Sequence, residues 1–200
     1  MKSKTLVEWM FTPFKYIAGG KALLIGVAVM ALVSVLGYLS GVHFDGVLDI
    51  HFSLKGTYLV HALYQVTTWF ILLLVLYITA RIMSKSEVRI IDLAGTIAVS
   101  QAPLILMALC GFIPAFHLDF GDMSDLDELM VTIKDNIGMI VLNAIVGLVF
   151  IAWTIILRYN AYSVSANLKG SKAIVSFIIA LFISEILSKI VLSLTVPLLS

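Results

Sequence analysis

The sequence predicts an all-α fold, a polytopic membrane bundle of five transmembrane helices. Three observations predict it. Of the 200 residues, 61% are hydrophobic and only 12% charged, against about 45–50% and about 25% in soluble domains. The apolar residues gather into five runs near the roughly 20 residues a helix needs to cross a bilayer. The basic residues fall on alternate connections between those runs, as the positive-inside rule requires.

The N-terminal stretch LVEWMFTPFKY sets Leu6, Trp9, Met10, Phe14 and Tyr16 among Glu8 and Lys15. It reads either as a segment lying in the headgroup region, anchored by Trp and Tyr, or as a plain lead-in to the first span. Pro13 interrupts any continuous helix there. The first span covers about 22–39. It ends in LGYLSGVHF with no A-x-A site, so it reads as a retained span and not as a cleaved signal.

The connection GVHFDGVLDIHFSLKG follows. Asp45-Gly46 is a turn signal, and from Val47 onward Asp49, His51 and Ser53 alternate with Leu48, Ile50, Phe52 and Leu54. A short β-hairpin with its apolar face on the bundle fits this alternation. The second span covers about 58–80. The third covers about 93–116, with Pro103 inside it and Pro114 near its end. In the acidic connection before the fourth span, Ser124 with Asp127 and Glu128 resembles a helix cap, predicting a short amphipathic helix. The fourth span covers about 133–157 and the fifth about 173–199. Together, residues 1–200 form a single transmembrane domain.

Orientation follows from Lys and Arg. Lys2, Lys4, Lys15 and Lys21 precede the first span; Arg81, Lys85 and Arg89 join the second to the third; Arg158, Lys169 and Lys172 join the fourth to the fifth. Only Lys55 and Lys134 lie on the opposite connections. The expectation is a cytoplasmic N-terminus, an outside C-terminus and a multi-pass protein of the cell membrane.

The charges within the fifth span carry the site argument. Glu185 and Lys189 stand four residues apart in FISEILSKIVL, the favoured order for a helical ion pair. Charges in a span turn inward and find partners. Ser184, Ser188 and Ser193 prolong the polar stripe. Depth counting at 1.5 Å per residue brings Gln65 and Asn143 near Lys189, which predicts one intramembrane polar cluster of Gln65, Asn143, Glu185 and Lys189. A second candidate surface is the cytoplasmic contact segment RYNAYSVSANLKGSK, with Arg158, Tyr159, Asn160, Tyr162, Asn167 and Lys169.

Other chemistry is not indicated. His43, Asp45, Asp49 and His51, with His117, Asp119 and Asp122, supply metal-ligand atoms, but their spacing matches no metal motif. Neither a metal nor another cofactor is expected. Cys110 reads as a small buried hydrophobe. There is no HExxH, GxSxG or pair of intramembrane aspartates, so an enzyme is not expected. The basic residues track topology, which argues against nucleic acid. The partners expected are the lipid bilayer and other membrane proteins.

The stretches PFKYIAGGKALLIG, GVLDIHF, VRIIDLAGTIAVSQAP and RYNAYSVSANLKGSKAIVSF, with the five-span layout, resemble the Yip family (Ypt/Rab-interacting protein domain), in its short bacterial form. Eukaryotic members of that family have a longer soluble region before the first span, associate with Rab-type GTPases and act in membrane trafficking and shaping. The short form implies a prokaryotic plasma membrane, and the resemblance carries over no catalytic motif. Two functions follow as expectations: a non-enzymatic scaffold that organises membrane or partners, and a small transporter or channel built on the Glu185/Lys189 cluster.

Overall fold

The computed structural model describes residues 5–53, 56–117 and 126–198, apart from the side chain of Glu128. The described residues are 80% helical, with one two-stranded sheet among them. In order, the elements are α1 (Leu6–Phe11), a 3-10 turn (Pro13–Lys15), α2 (Gly19–Ser40), β1 (Val42–His43), β2 (His51–Phe52) and α3 (Tyr58–Met83). Then come α4 (Ile90–Val99), α5 (Pro103–Cys110), a 3-10 turn (Pro114–Phe116), α6 (Leu126–Ser165), α7 (Gly170–Thr195) and a last 3-10 turn (Val196–Leu198). Among the described residues five helical units are long and apolar enough to cross a membrane, α4 and α5 together making the third. Their connectivity puts Lys15, Lys21, Arg81, Lys85, Arg89, Lys169 and Lys172 at one end of the bundle, the basic end. The two strands lie on the connection at the other end.

The predicted spans hold, with shifted bounds. α2 and α3 each exceed the apolar run that announced them, and α7 starts three residues earlier and ends at Thr195. The position of Leu199, assigned to the fifth span, lies outside the described residues. The largest shift is in α6, whose 40 residues make a rod of about 60 Å. It absorbs the short helix expected near residue 126, and Ser124, the proposed cap, lies outside the described residues. It also absorbs the start of the segment expected to be a connection. No Gly or Pro stands between Gly147 and Gly170, so the helix runs on past its apolar stretch and ends only at Ser165, just before Asn167 takes a positive φ of 50°.

The third span breaks where Pro103 enters it. Proline has no N–H to offer the carbonyl four residues back, and the Val99 carbonyl is taken instead by the Ala102 amide at 3.0 Å. The Ser100 hydroxyl bonds the Ile97 carbonyl at 2.6 Å. This broken span is the most buried of the five. It packs most closely against α2, and glycine makes that possible. A methyl on Gly26 would collide with Ala98, and one on Gly95 would sit 2.5 Å from the Leu23 amide nitrogen. Two backbones in near contact replace the hydrophobic drive that lipid does not provide between helices.

Side-chain hydrogen bonds fasten the other helices. The Trp69 indole donates to the Ala94 carbonyl, joining α3 to α4. Tyr162 and Ser176 join α6 to α7 at 3.0 Å. Ser184 and Ser188 are fully buried, and their hydroxyls bond carbonyls of their own helix.

The N-terminal segment is docked, not a plain lead-in. Thr5 and Glu8 form a capping box on α1. At its other end the Met10 carbonyl accepts from the Trp153 indole at 2.9 Å and the Phe11 carbonyl from the Asn160 amide at 2.8 Å. These are carbonyls that a helix end leaves without intrahelical partners. Phe14 is buried in the main core, while Leu6, Val7 and Trp9 stay exposed.

The close approach of α2 and α4 yields a test. Gly26→Val should lower thermal stability in detergent by about 1–3 kcal/mol, the usual cost of overpacking. Gly138→Val, where an added methyl meets nothing within 4 Å, should leave it within about 0.5 kcal/mol. Equal effects at the two positions would refute the contact.

Candidate functional site

The hairpin expected in the first connection is present but shaped differently. Its ladder has two rungs, Val42 opposite Phe52 and His43 opposite His51. Asp45-Gly46 is therefore not a two-residue turn. Residues 44–50 leave the ladder and run back between the helices. Phe44 packs with Val33, Leu104 and Met107. Val47 joins the main core that also holds Phe14, Leu72 and Leu157. Leu48, Ile50 and Phe52 pack against these two clusters, as the alternation predicted.

Backbone without secondary structure can sit among spanning helices only if protein groups satisfy it. Two charged side chains do so. The Leu48 amide donates to the Glu185 carboxylate at 2.7 Å. The Arg158 guanidinium donates to the Val47 carbonyl through a short hydrogen bond. Arg158 is 4% exposed, about 10 Å before the end of α6 at Ser165, so the loop reaches well toward the basic end. Glu185 is also the carboxylate whose field Arg158 feels. Gly46 keeps the carboxylate close: an added Cβ would lie 2.7 Å from Oε1 and 3.0 Å from Oε2 of Glu185. The cavity at the tip, lined by Gly46, Leu48, Thr154 and Arg158, measures about 10 Å³, room for about one water.

A second polar layer lies above the tip. Lys189 pairs with Asp45 at 3.3 Å and, more closely, with Asp49. Asp45 also holds His51 at 3.1 Å. Burial alone would raise the Asp45 carboxyl, but the His51 hydrogen bond and the charges of His51 and Lys189 outweigh it and bring it down to about 2. His51 is pushed up, first by its hydrogen bond to Asp45, against burial, with the Asp45 and Asp49 charges adding to it. Across both layers two cations, Arg158 and Lys189, face three carboxylates, so a proton on His51 balances the charge. The His43 ring stacks on His51 at 4.7 Å and meets His61 at 4.4 Å. Among the described residues no group of His, Cys, Asp or Glu is arranged to hold a metal ion, and Asp119 and Asp122 lie outside them. A vestibule of about 280 Å³ opens beside this layer, lined by Asp45, Tyr64, Lys189, Leu192 and Ser193.

The four residues expected in one polar cluster are distributed differently. Glu185 and Lys189 both serve the inserted loop, each through its own partners. Gln65 is 2% exposed and its side-chain oxygen has no hydrogen-bond partner. Asn143 bonds the Phe116 carbonyl at 3.4 Å, beyond the end of α5, and lines a different groove with Phe52 and Met107. The contact segment divides too. Arg158 and Tyr162 are buried, Asn160 is committed to α1, and Tyr159 packs edge-on against Phe177. Asn167 and Lys169 are exposed, and Asn167 takes a positive φ of 50° after α6 while donating to Ser86 at 3.0 Å. Arg158 is the residue whose role the sequence concealed. The uninterrupted helical stretch around it was the available signal.

Comparison with known proteins decides the family. The Yip1 domain model matches residues 16–188. The chain belongs to the Yip1 domain family. The matched region of this Yip1 domain includes the inserted loop, the broken third span, Arg158 and Glu185, while α1 and Lys189 lie outside it. No curated protein and no solved structure matches the chain.

Two predictions follow from this geometry. Glu185→Gln loses a charge-assisted bond to a backbone amide and should cost about 1.5–3 kcal/mol, read as earlier thermal unfolding and faster amide exchange at Leu48. Unchanged exchange at Leu48 would refute the contact. For pH, His51 is raised in the fold, so its contribution is full below about 6.5 and is lost as pH climbs through its raised value. Asp45 is lowered, so its contribution is present above 3.8 and is lost toward about 2. Protection of the loop amides should therefore peak between roughly pH 4 and 6.5, and His51→Ala should flatten the decline on the alkaline side.

Proposed function

We propose that this Yip1 domain protein is a non-enzymatic scaffold that organises membrane or partner proteins. The observation that carries the reading is the use of the intramembrane charges. Arg158 and Glu185 hold backbone of the inserted loop around a space of about 10 Å³, so these charges act as structural fasteners and not as steps of an ion path. The surfaces left for partners are the exposed apolar residues of α1 and the loosely packed first half of α6, where Ile137, Val141 and Ile145 are exposed. In the same reading the basic end faces the cytoplasm, the C-terminus is outside, and the membrane is a prokaryotic plasma membrane.

The vestibule at Asp45, Tyr64 and Lys189 favours a second reading, a small transporter or channel entered from the strand end. The inserted loop blocks that entry from the core, and the scaffold reading is preferred for that reason.

Reconstitution separates the two. In liposomes loaded with a pH-sensitive dye, the scaffold predicts no proton or alkali-cation leak above empty vesicles. Flux that Lys189→Leu or Glu185→Gln abolished in a folded protein would establish transport instead. Orientation is tested with Cys110→Ala chains bearing Lys85→Cys or Thr57→Cys in intact cells. An impermeant maleimide should label the second without permeabilisation and the first only after it; the opposite pattern would invert the topology.

A further inference from the structure

α1 has only six residues, too few to persist as a helix unless something holds it. α6 holds it. The Trp153 indole donates to the Met10 carbonyl at 2.9 Å and the Asn160 amide to the Phe11 carbonyl at 2.8 Å. The Phe11 and Trp153 rings lie 6.2 Å apart. The chain then turns through Pro13–Lys15, buries Phe14 and enters α2 at Gly19. The N-terminal segment therefore ties α2 to α6. Among the described residues those two spans scarcely touch each other directly.

The same stretch of α6 holds the loop tip. Arg158 donates to the Val47 carbonyl, and Thr154 lines the cavity there. At 3.6 residues per turn, Trp153 and Asn160 fall on one face of α6, about 20° apart, and Arg158 falls about 140–160° from both. α6 thus passes between the N-terminal segment and the loop, with one of them on either side. A single buried core backs the arrangement, because Phe14, Val47 and Leu157 belong to the same cluster. α6 is otherwise the least buried span.

We infer that the N-terminal segment is a strap: it pins α6 to the bundle, and its release from Trp153 and Asn160 loosens the latch that Arg158 and Glu185 make at the loop tip. When the two carbonyls let go, α1 unwinds, Phe14 loses its anchor in the shared core and α6 loses its tie to α2. Arg158 then draws away from the Val47 carbonyl with the helix that carries it. Leu6, Val7 and Trp9 are exposed on the strap, so a pull applied there reaches the loop. The inference concerns the chain alone and stands under either reading of the function.

The test is amide exchange of the full chain in nanodiscs, read at three amides. Thr12, bonded to the Glu8 carbonyl at 2.8 Å, reports the strap. Leu48, bonded at 2.7 Å to Glu185 on a different helix, reports the latch. Ala102, bonded to the Val99 carbonyl at 3.0 Å, reports the third span. Trp153→Phe keeps a ring and removes the donor. It should speed exchange at both Thr12 and Leu48 by about fivefold, the size of one neutral hydrogen bond, and leave Ala102 unchanged. Asn160→Ala should do the same. Coupling is reciprocal, so Glu185→Gln should also speed exchange at Thr12. Trp69→Phe, which removes the indole bond to Ala94, is the control and should leave Thr12 and Leu48 as they were. Faster exchange at Thr12 with Leu48 unmoved would overturn the proposal. So would an unmoved Thr12, a rise at all three amides, or an equal effect of Trp69→Phe, the last two meaning general loosening.

Discussion

A buried peptide group among spanning helices must find a partner, and here two charged side chains provide it. Arg158 on α6 and Glu185 on α7 each take one backbone group at the tip of the loop between α2 and α3. Isolated, each charge would be expensive in the span that carries it. Placed against the loop, each answers a need that lipid cannot. The loop in turn contributes Phe44 and Val47 to the two main cores, so apolar packing and polar satisfaction depend on the same seven-residue excursion.

The rest of the bundle follows from the same solvent. Association between spans rests on close backbones, as at Gly26 and Gly95, and on single hydrogen bonds from Trp69 and Tyr162. α6 differs in kind. It is the longest helix, it carries the latch residue, and its Trp153 and Asn160 hold the N-terminal segment. It is also the least buried span. One helix thus joins the interior of the domain to the surfaces on which its partners, lipid or protein, would act.

The fold was legible because it depends on composition and run length, which single residues barely perturb. The family was legible through stretches that, apart from Pro13–Lys15, the Yip1 match also covers. The site was legible only in part. Glu185 and Lys189 stood out because charges in an apolar run are rare, but their partners could not be found by counting depth. Depth counting assumes that polar residues on spans meet one another, whereas these met a connection. Arg158 was concealed by its position: a basic residue after an apolar run reads as the start of a loop, and only the continued absence of helix breakers argues otherwise. Asn143 did not join Glu185 and Lys189 because its side chain turns to the Phe116 carbonyl and not to α7.

The latch also orders assembly in time. Val47 and Arg158 are 111 residues apart in the chain, and Leu48 and Glu185 are 137 apart. During synthesis the connection that bears the tip is finished long before either holder exists. The tip meets both holders only once the last helix has been made. Closure of this domain is therefore a post-insertion event, and a chain truncated before residue 185 would present to quality control a bundle with its centre still open.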